Sequence, residues 1–435
     1  MRSRRAAAAS SRRVTWSRWG TNGWKSVEPA PDQTKNLPKR GTYQDFPYSL
    51  FPAPDPLERS DMSAYLRAIR LVNFRNYVDA TALLAPGLNV VVGDNAQGKT
   101  NLLEAIAFNV TGSSARTPKE NEVVRWGSEF TRTEARIATD GSGEESSAAI
   151  GYAPGQKKRV TVDGAPVPSL TNYAAGGAGA RVVTFFPDDI RVVKGAPSDR
   201  REFLDALLSS LRPAYARAAV EYAKAVAQRN QLLRRIRDGF SSERTLATWD
   251  RKVVDLGTTV LAGREAALPV LEEHFKDSLR TLYGPEKAAI RYGYSATLEG
   301  YSEALREAHS ADVERGTTSV GPHRDDFEVV LGGVNLTTYG SQGQQRLATL
   351  ALKFAARDYV RGEVGDDPIL LFDDVMSELD ERRREYLAGY FLESTQAVIS
   401  TTNLEYFDEE ILRRTRIIRI SGGSILENAT DGAAR

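Results

Sequence analysis

The 435-residue sequence has no cysteine, so it can form no disulfide framework and offers no thiolate to a metal. Histidine is scarce, with only His274, His309 and His323. Three scattered imidazoles do not make a histidine-based metal cluster. No apolar run approaches the roughly 18 residues of a membrane span, so no membrane segment or membrane partner is expected. Neither sign of charge is in excess: 58 Lys/Arg against 57 Asp/Glu leave a net charge of +1. A nucleic-acid surface, if the chain carries one, must therefore be local. These absences fit a cytoplasmic globular protein, and the length suggests two or three domains.

The charge is distributed unevenly. Residues 1–60 carry eleven Lys/Arg and five Asp/Glu, a net of +6, and with the whole at +1 the rest stands at −5. The same stretch holds seven of the nineteen prolines, three of the five tryptophans and the pairs Arg4-Arg5 and Arg12-Arg13. No helical or strand period runs through it. Paired arginines near an N-terminus suggest a twin-arginine export signal, but no apolar h-region of about 7–15 residues follows. Patterned sequence begins abruptly at Tyr65. Met62 is accordingly expected to be the true start, with residues 1–61 a disordered or extraneous extension. Intact-mass measurement of the native protein checks this.

What is present is first a phosphate-binding loop. Gly93-Asp94-Asn95-Ala96-Gln97-Gly98-Lys99-Thr100 is a complete G-x-x-x-x-G-K-T sequence, entered by a short strand pattern of the apolar Leu88, Val90, Val91 and Val92 and left through a helical pattern from Thr100 to Asn109. The chemistry requires that order. Glycines let the backbone wind tightly, so that successive N–H groups face phosphate oxygens. Lys99 can reach the β- and γ-phosphates, and the Thr100 hydroxyl can ligate Mg²⁺. Asn101 follows directly and is grouped with the nucleotide-binding residues.

Around this loop the spacing predicts a strand over 65–72 and an antiparallel meander across 123–165, broken by Gly and Asp. Lys157-Lys158-Arg159 reads as a solvated hairpin turn. Another buried strand is predicted over 182–186. From Ser198 to about His309 the period becomes helical, in runs at 201–211, 214–238 and 243–283. Arg229, Arg234, Arg235 and Arg237 lie within them and could either meet DNA phosphates or solvate a helix face.

Three motifs follow. Ser341-Gln342-Gly343-Gln344 precedes a helical run at 347–360, placing Ser341 at an N-cap before amides that can receive an anion. Pro368 to Asp374 is an apolar strand ending in two carboxylates, a Walker B pattern. Such a strand delivers Asp373 to Mg²⁺ opposite Thr100 and places Asp374 to polarise an attacking water. Ser377-Glu378-Leu379-Asp380 comes next, before a helix near Glu381. Ala397 to Ser400 and Arg416 to Ile420 are further strands, the last expected to close the sheet.

P-loop, helical insertion, S-x-G-Q helix start, Walker B and S-x-L-D follow the order of ABC-type ATPases. In detail the chain resembles the RecF family of bacterial recombination mediators. The residues carrying this are Asn73 to Tyr77 (NFRNY), Gly93 to Ile106, Phe186 to Asp189, Gln228 to Leu233, Gly321 to Asp326 (GPHRDD), Gly340 to Arg346 and Phe372 to Asp380. The resemblance covers about 65–420, and residues 1–61 have no counterpart in it. It implies an α/β fold: an ABC-type head related to SMC heads, with a mixed-sheet P-loop lobe and an inserted helical lobe. The corresponding division is 62–197, 198–310 and 311–435. It implies ATP and Mg²⁺ as cofactors and an ATP-dependent homodimer, in which Ser341 and Gly343, with Gln344 close by, meet the partner's γ-phosphate and Asp380 sits at the seam. Arg75 becomes a candidate for the nucleotide phosphates. The family acts with RecO and RecR at gapped or junction DNA to promote RecA loading, with slow ATP hydrolysis. Asp374, one methylene shorter than the glutamate of most ABC ATPases, suits a slow reaction.

There are departures from the pattern. Asp188 stands where the family commonly has Glu. No Q-loop glutamine can be placed, since Gln156 is the only glutamine between Thr100 and Gln228. Thr401-Thr402-Asn403 occupies the place of the ABC H-loop histidine. Two other functions remain in competition: the ATP-binding subunit of a transporter, and a DNA scaffold that binds ATP as a switch without hydrolysing it.

Overall fold

The computed structural model describes residues 64–139 and 144–426; the expectation for 1–61 lies outside the described residues. Its strands in chain order are β1 (Ala64–Phe74), β2 (Tyr77–Leu83), β3 (Gly87–Val92), β4 (Thr131–Thr139), β5 (Glu145–Tyr152), β6 (Arg159–Val162), β7 (Ala165–Pro166) and β8 (Val182–Phe185), then β9 (Ala288–Gly293), β10 (Asp326–Leu331), β11 (Val334–Asn335), β12 (Ile369–Asp373), β13 (Gln396–Thr401), β14 (Arg416–Ser421) and β15 (Ser424–Leu426). They form three sheets. One is antiparallel in the order β2-β1-β4-β5-β6-β7, one small sheet runs β11-β10-β9, and the central sheet runs β15-β14-β3-β13-β12-β8. The central sheet is parallel except for the β14–β15 hairpin.

The burial patterns explain the arrangement. All residues of β3, β12 and β13 are buried, as expected of parallel strands covered on both faces. The β4 strand alternates buried and half-buried residues, as an antiparallel strand with one wet face does. Because side chains alternate along a strand, β12 and β13 feed two cores. Leu371 and Val398 join Phe74, Tyr77, Ile106 and Phe108 between the two large sheets. Phe372 and Ile399 join Phe185, Phe354 and Phe391 on the other side. The P-loop helix (Lys99–Thr111) lies in the first core. Ten of its thirteen residues are buried, so no single apolar stripe marks it.

The long helices are Pro197–Leu211, Pro213–Arg237 and Leu246–Leu282. Proline starts the first two, where its missing N–H has no intrahelical partner to lose. They pack with the helix Gln342–Val364 in the second core. Two readings need correction. The stretch read as helical to His309 contains β9, which pairs with all six residues of β10; a short Ala/Ile/Tyr run near a helix is ambiguous until its partner strand is known. And β14 does not close the sheet, because Gly422-Gly423, both with positive φ, turn the chain into β15 at the edge. Among the described residues no helix is long and apolar enough to cross a membrane.

Candidate nucleotide and metal site

The loop from Gly93 to Thr100 is held from outside by the segment between β1 and β2. Asn76 Nδ2 donates to Gln97 O (2.9 Å), Tyr77 OH donates to Gly98 O (2.9 Å), and Asn101 Nδ2 donates to Asn76 Oδ1 (2.8 Å). Beside Asn76, Gly423 N donates to the same Gln97 O (2.9 Å). Gly98 has φ 123°, and a Cβ there would come within 2.8 to 3.0 Å of Asn76 and Tyr77. Both the dihedral and the crowding require glycine. Lys99 is buried and curls back, Nζ donating to the carbonyls of Gly93 (2.7 Å) and Asp94 (2.9 Å). Burial lowers its pKa, while the charges of Asp374, Asp373 and Asp94 act the other way.

The parallel pairing of β12 with β13 brings the second half of the site beside this loop. Thr100 Oγ1 contacts both Asp373 carboxylate oxygens, at 2.8 and 3.0 Å. Ser400 Oγ donates to Asp373 Oδ1 as well. Burial raises the Asp373 pKa, opposed by the hydrogen bonds from Ser400 and Thr100 and by the charge of Arg116. Asp374 sits in the left-handed region with φ 49°, and its Oδ1 is buried without a partner. The Thr100 hydroxyl and the buried Asp373 carboxylate are hard oxygen donors held side by side, which fits Mg²⁺. Among the described residues no group of three or more His, Cys, Asp or Glu could form an all-protein cage.

Arg75 lies close by but is engaged elsewhere. Its guanidinium makes two bonds to Glu104 of the P-loop helix (2.6 and 2.9 Å) and one to Glu122 O (2.7 Å). Glu104 is fully buried and is also met by Ser114 Oγ (2.6 Å) and Arg116 Nη1 (3.1 Å), which bonds to Asn101 Oδ1 at 3.1 Å. Sequence reasoning missed Asn76, Tyr77, Arg116 and Ser400. The first two lie inside the NFRNY motif, in which only Arg75 carries a charge that points to phosphate. Nothing in the local pattern singles out Arg116 or Ser400.

The structure gathers Gly93 to Asn101 with Asp373 and Asp374. Ser341, Gly343, Gln344 and Asp380 share no hydrogen bond with them. Ser341 caps the helix Gln342–Val364 in a reciprocal box with Gln344: its Oγ accepts from Gln344 N, and Gln344 Oε1 accepts from Ser341 N (2.9 Å). Gln344 Nε2 also donates to Tyr283 OH (2.9 Å). Ser341, Gln342 and Gly343 are exposed, and nothing lies within 4 Å of a Cβ built on Gly343. Asp380 caps the helix Glu381–Glu393 through Arg383 N (3.0 Å) and ion-pairs with the Arg383 side chain.

Other candidates resolve as structure. Arg229 is fully buried and paired with Asp250 (2.7 Å) and Asp312 (2.6 Å), so it is not a DNA contact; Arg234, Arg235 and Arg237 are exposed. Lys158 is not a solvated turn residue, since it pairs with Glu120 and donates to Gly112 O, with 8% of its side chain exposed. His323 of GPHRDD lies between Tyr222 OH (2.7 Å from Nδ1) and Thr318 O (3.1 Å from Nε2). Burial pushes its pKa down to about 4.

Comparison with known proteins agrees with this geometry. Residues 68–167 match the family model described as an AAA domain. The DNA replication and repair protein RecF of Acetivibrio thermocellus is 36% identical over 370 residues, spanning 82% of this chain and 99% of that protein. RecF of Heliobacterium modesticaldum is 36% identical over 373 residues, spanning 83% and 98%. The solved structure of the recombination mediator protein RecF-ATPrS in the RecFOR pathway superposes with a TM-score of 0.76 at 31% identity, covering 84% of this chain and 98% of that one. A Pyrococcus yayanosii Smc head domain, 14% identical, superposes at 0.50 over 85% of this chain and 98% of its own, and bears on the fold alone. The α/β architecture is that of an ABC-type, SMC-like ATPase head, as expected, and the chain belongs to the RecF family of DNA replication and repair proteins.

Proposed function

We propose that this chain is an ATP-switched clamp that pairs with a second copy of itself on DNA. The observation that carries the reading is a division of labour. A complete phosphate cradle with two carboxylates is assembled in one place, while a second anion-receptive helix start, at Ser341 to Gly343, stands exposed with no phosphate cradle of its own. On this reading Lys99 leaves the Gly93 and Asp94 carbonyls for the β- and γ-phosphates of ATP. Thr100 and Asp373 would hold Mg²⁺, which neutralises developing charge on the phosphates when bound. The free oxygen of Asp374 orients the attacking water. Ser341 and Gly343 of the partner subunit close the site, with Asp380 at the seam, and Arg75 reaches phosphate only by releasing Glu104. Hydrolysis is slow and resets the clamp. The ATPase lobe would comprise 62–197 and 311–435, with 198–310 as the inserted lobe.

The DNA would be gapped or carry a single-strand/double-strand junction, and the outcome would be RecA loading with RecO and RecR. Membership in the RecF family favours this over a transporter subunit. The non-hydrolysing scaffold is separated by Asp374→Asn: if DNA loading survives while hydrolysis is lost, ATP acts as a switch only. The principal test is sedimentation with ATP and Mg²⁺. The wild type should dimerise, and Lys99→Ala and Ser341→Arg should each prevent it. A wild-type monomer at saturating ATP refutes the reading.

A further inference from the structure

We propose that Ser400 is the positioning residue that aims the second Walker B carboxylate, Asp374, by tying its backbone to the Asp373 side chain; the inference rests on the reading of Asp373 and Asp374 given above. Asp373 is the last residue of β12 and stands directly opposite Ser400 in the parallel register with β13. The ladder stops there. Asp374 turns into the left-handed region instead of continuing the strand, a conformation that costs most L side chains energy and aspartate less than most.

Ser400 holds Asp374 there. The Asp374 N–H is shared between Ser400 O (3.2 Å) and Ser400 Oγ (3.0 Å). Accepting there through one lone pair, the Ser400 hydroxyl donates its proton to Asp373 Oδ1, a carboxylate oxygen that can only accept. One fully buried hydroxyl thus accepts from the backbone of one carboxylate residue and donates to the side chain of the other. Asp373 takes its other contact from Thr100, which leaves the unpartnered Oδ1 of Asp374 as the oxygen free to act. Extended backbone at Asp374 would continue the alternation of β12 and turn that carboxylate to the opposite face of the sheet from Asp373. The hydroxyl at position 400 therefore decides where the free oxygen points.

Ser400→Ala removes both contacts and leaves Asp374 N–H with the carbonyl alone. The test compares Ser400→Ala, Ser400→Thr, Asp374→Asn and the Ser400→Ala/Asp374→Asn double variant in the full chain, measuring single-turnover ATP hydrolysis, ATP affinity, thermal midpoint and the lifetime of the ATP-bound dimer after an ADP chase. Ser400→Ala should slow the chemical step by about tenfold or more while ATP affinity stays within about threefold, and its dimer should persist longer because hydrolysis resets the pair. Ser400→Thr, which keeps the hydroxyl, should recover most of the rate. In the Asp374→Asn background Ser400→Ala should add little, since the two act through one group. Equal slowing in both backgrounds, or a loss of affinity matching the loss of rate, overturns the proposal. If Asp374→Asn slows hydrolysis and Ser400→Ala does not, Ser400 loses this role and Asp374 keeps its own. If neither slows it, the assignment of Asp374 falls and the proposal falls with it.

Discussion

At the scale of single residues, the site is made by what each group is denied as much as by what it is given. Lys99 has only loop carbonyls to hold it, and Asp374 has a buried oxygen with no partner. A phosphate would satisfy the first, and a water held against it would satisfy the second. Gly98 is the opposite case, a position with no freedom left. Gly98→Ala would force a side chain at φ 123° into Asn76 and Tyr77, and ATP binding measured by calorimetry should fall by at least about tenfold, in line with backbone strain on the order of 1–3 kcal/mol. His323 makes a different prediction. Its folded pKa of about 4 lies below its ordinary value, so the folded state favours the neutral ring. The stabilising effect is complete above about pH 6.5 and is lost as pH falls toward 4, where the unfolded chain binds a proton that the folded chain refuses. His323→Gln should therefore be less stable than the wild type at pH 7 through loss of the Tyr222 bond, yet lose less further stability on going to pH 5. Urea midpoints at the two pH values measure the difference.

At the scale of elements, the sequence announced those whose chemistry is local. The P-loop, the N-cap at Ser341 and the apolar β12 run each carry their signal within about ten residues. Their structural counterparts start close by: the P-loop helix at Lys99, one residue before the expected Thr100, the helix capped by Ser341 at Gln342, five before the 347–360 run, and β12 at Ile369, one after Pro368. What was not legible depends on partners far away in sequence. Arg229 looked like part of a basic patch, and only the packing of distant Asp250 and Asp312 makes it a buried strut. Ser400 is one serine in an apolar strand until the register sets it opposite Asp373. In the β1–β2 turn the arginine carries the conspicuous charge, whereas its neighbours Asn76 and Tyr77 brace the P-loop. Asn76→Ala should weaken ATP binding severalfold, because it removes bonds to Gln97 and Asn101 together, each worth about 1 kcal/mol. A melting temperature that falls with no change in ATP affinity would assign Asn76 to the fold instead of the site.

At the scale of the whole molecule, the question is whether the P-loop and the helix start at Ser341 belong to one composite site formed by two chains. The two point variants that should each abolish pairing damage opposite halves. Lys99→Ala leaves a chain with a sound signature and a dead cradle, and Ser341→Arg leaves a sound cradle and a signature blocked by a bulky cation. Homodimers of either kind hold two broken sites. A mixed dimer holds one site in which both halves are intact, the Ser341→Arg cradle facing the Lys99→Ala signature, and one site broken on both sides. If the halves act in trans, mixing the two purified variants with ATP and Mg²⁺ should restore a dimer that neither variant forms alone. Its affinity should be weaker than the wild type's because one nucleotide bridges the seam instead of two. Sedimentation velocity, with one variant carrying a fluorescent label, distinguishes the mixed species. If the halves acted within one chain, every chain in the mixture would carry a defect and mixing would change nothing.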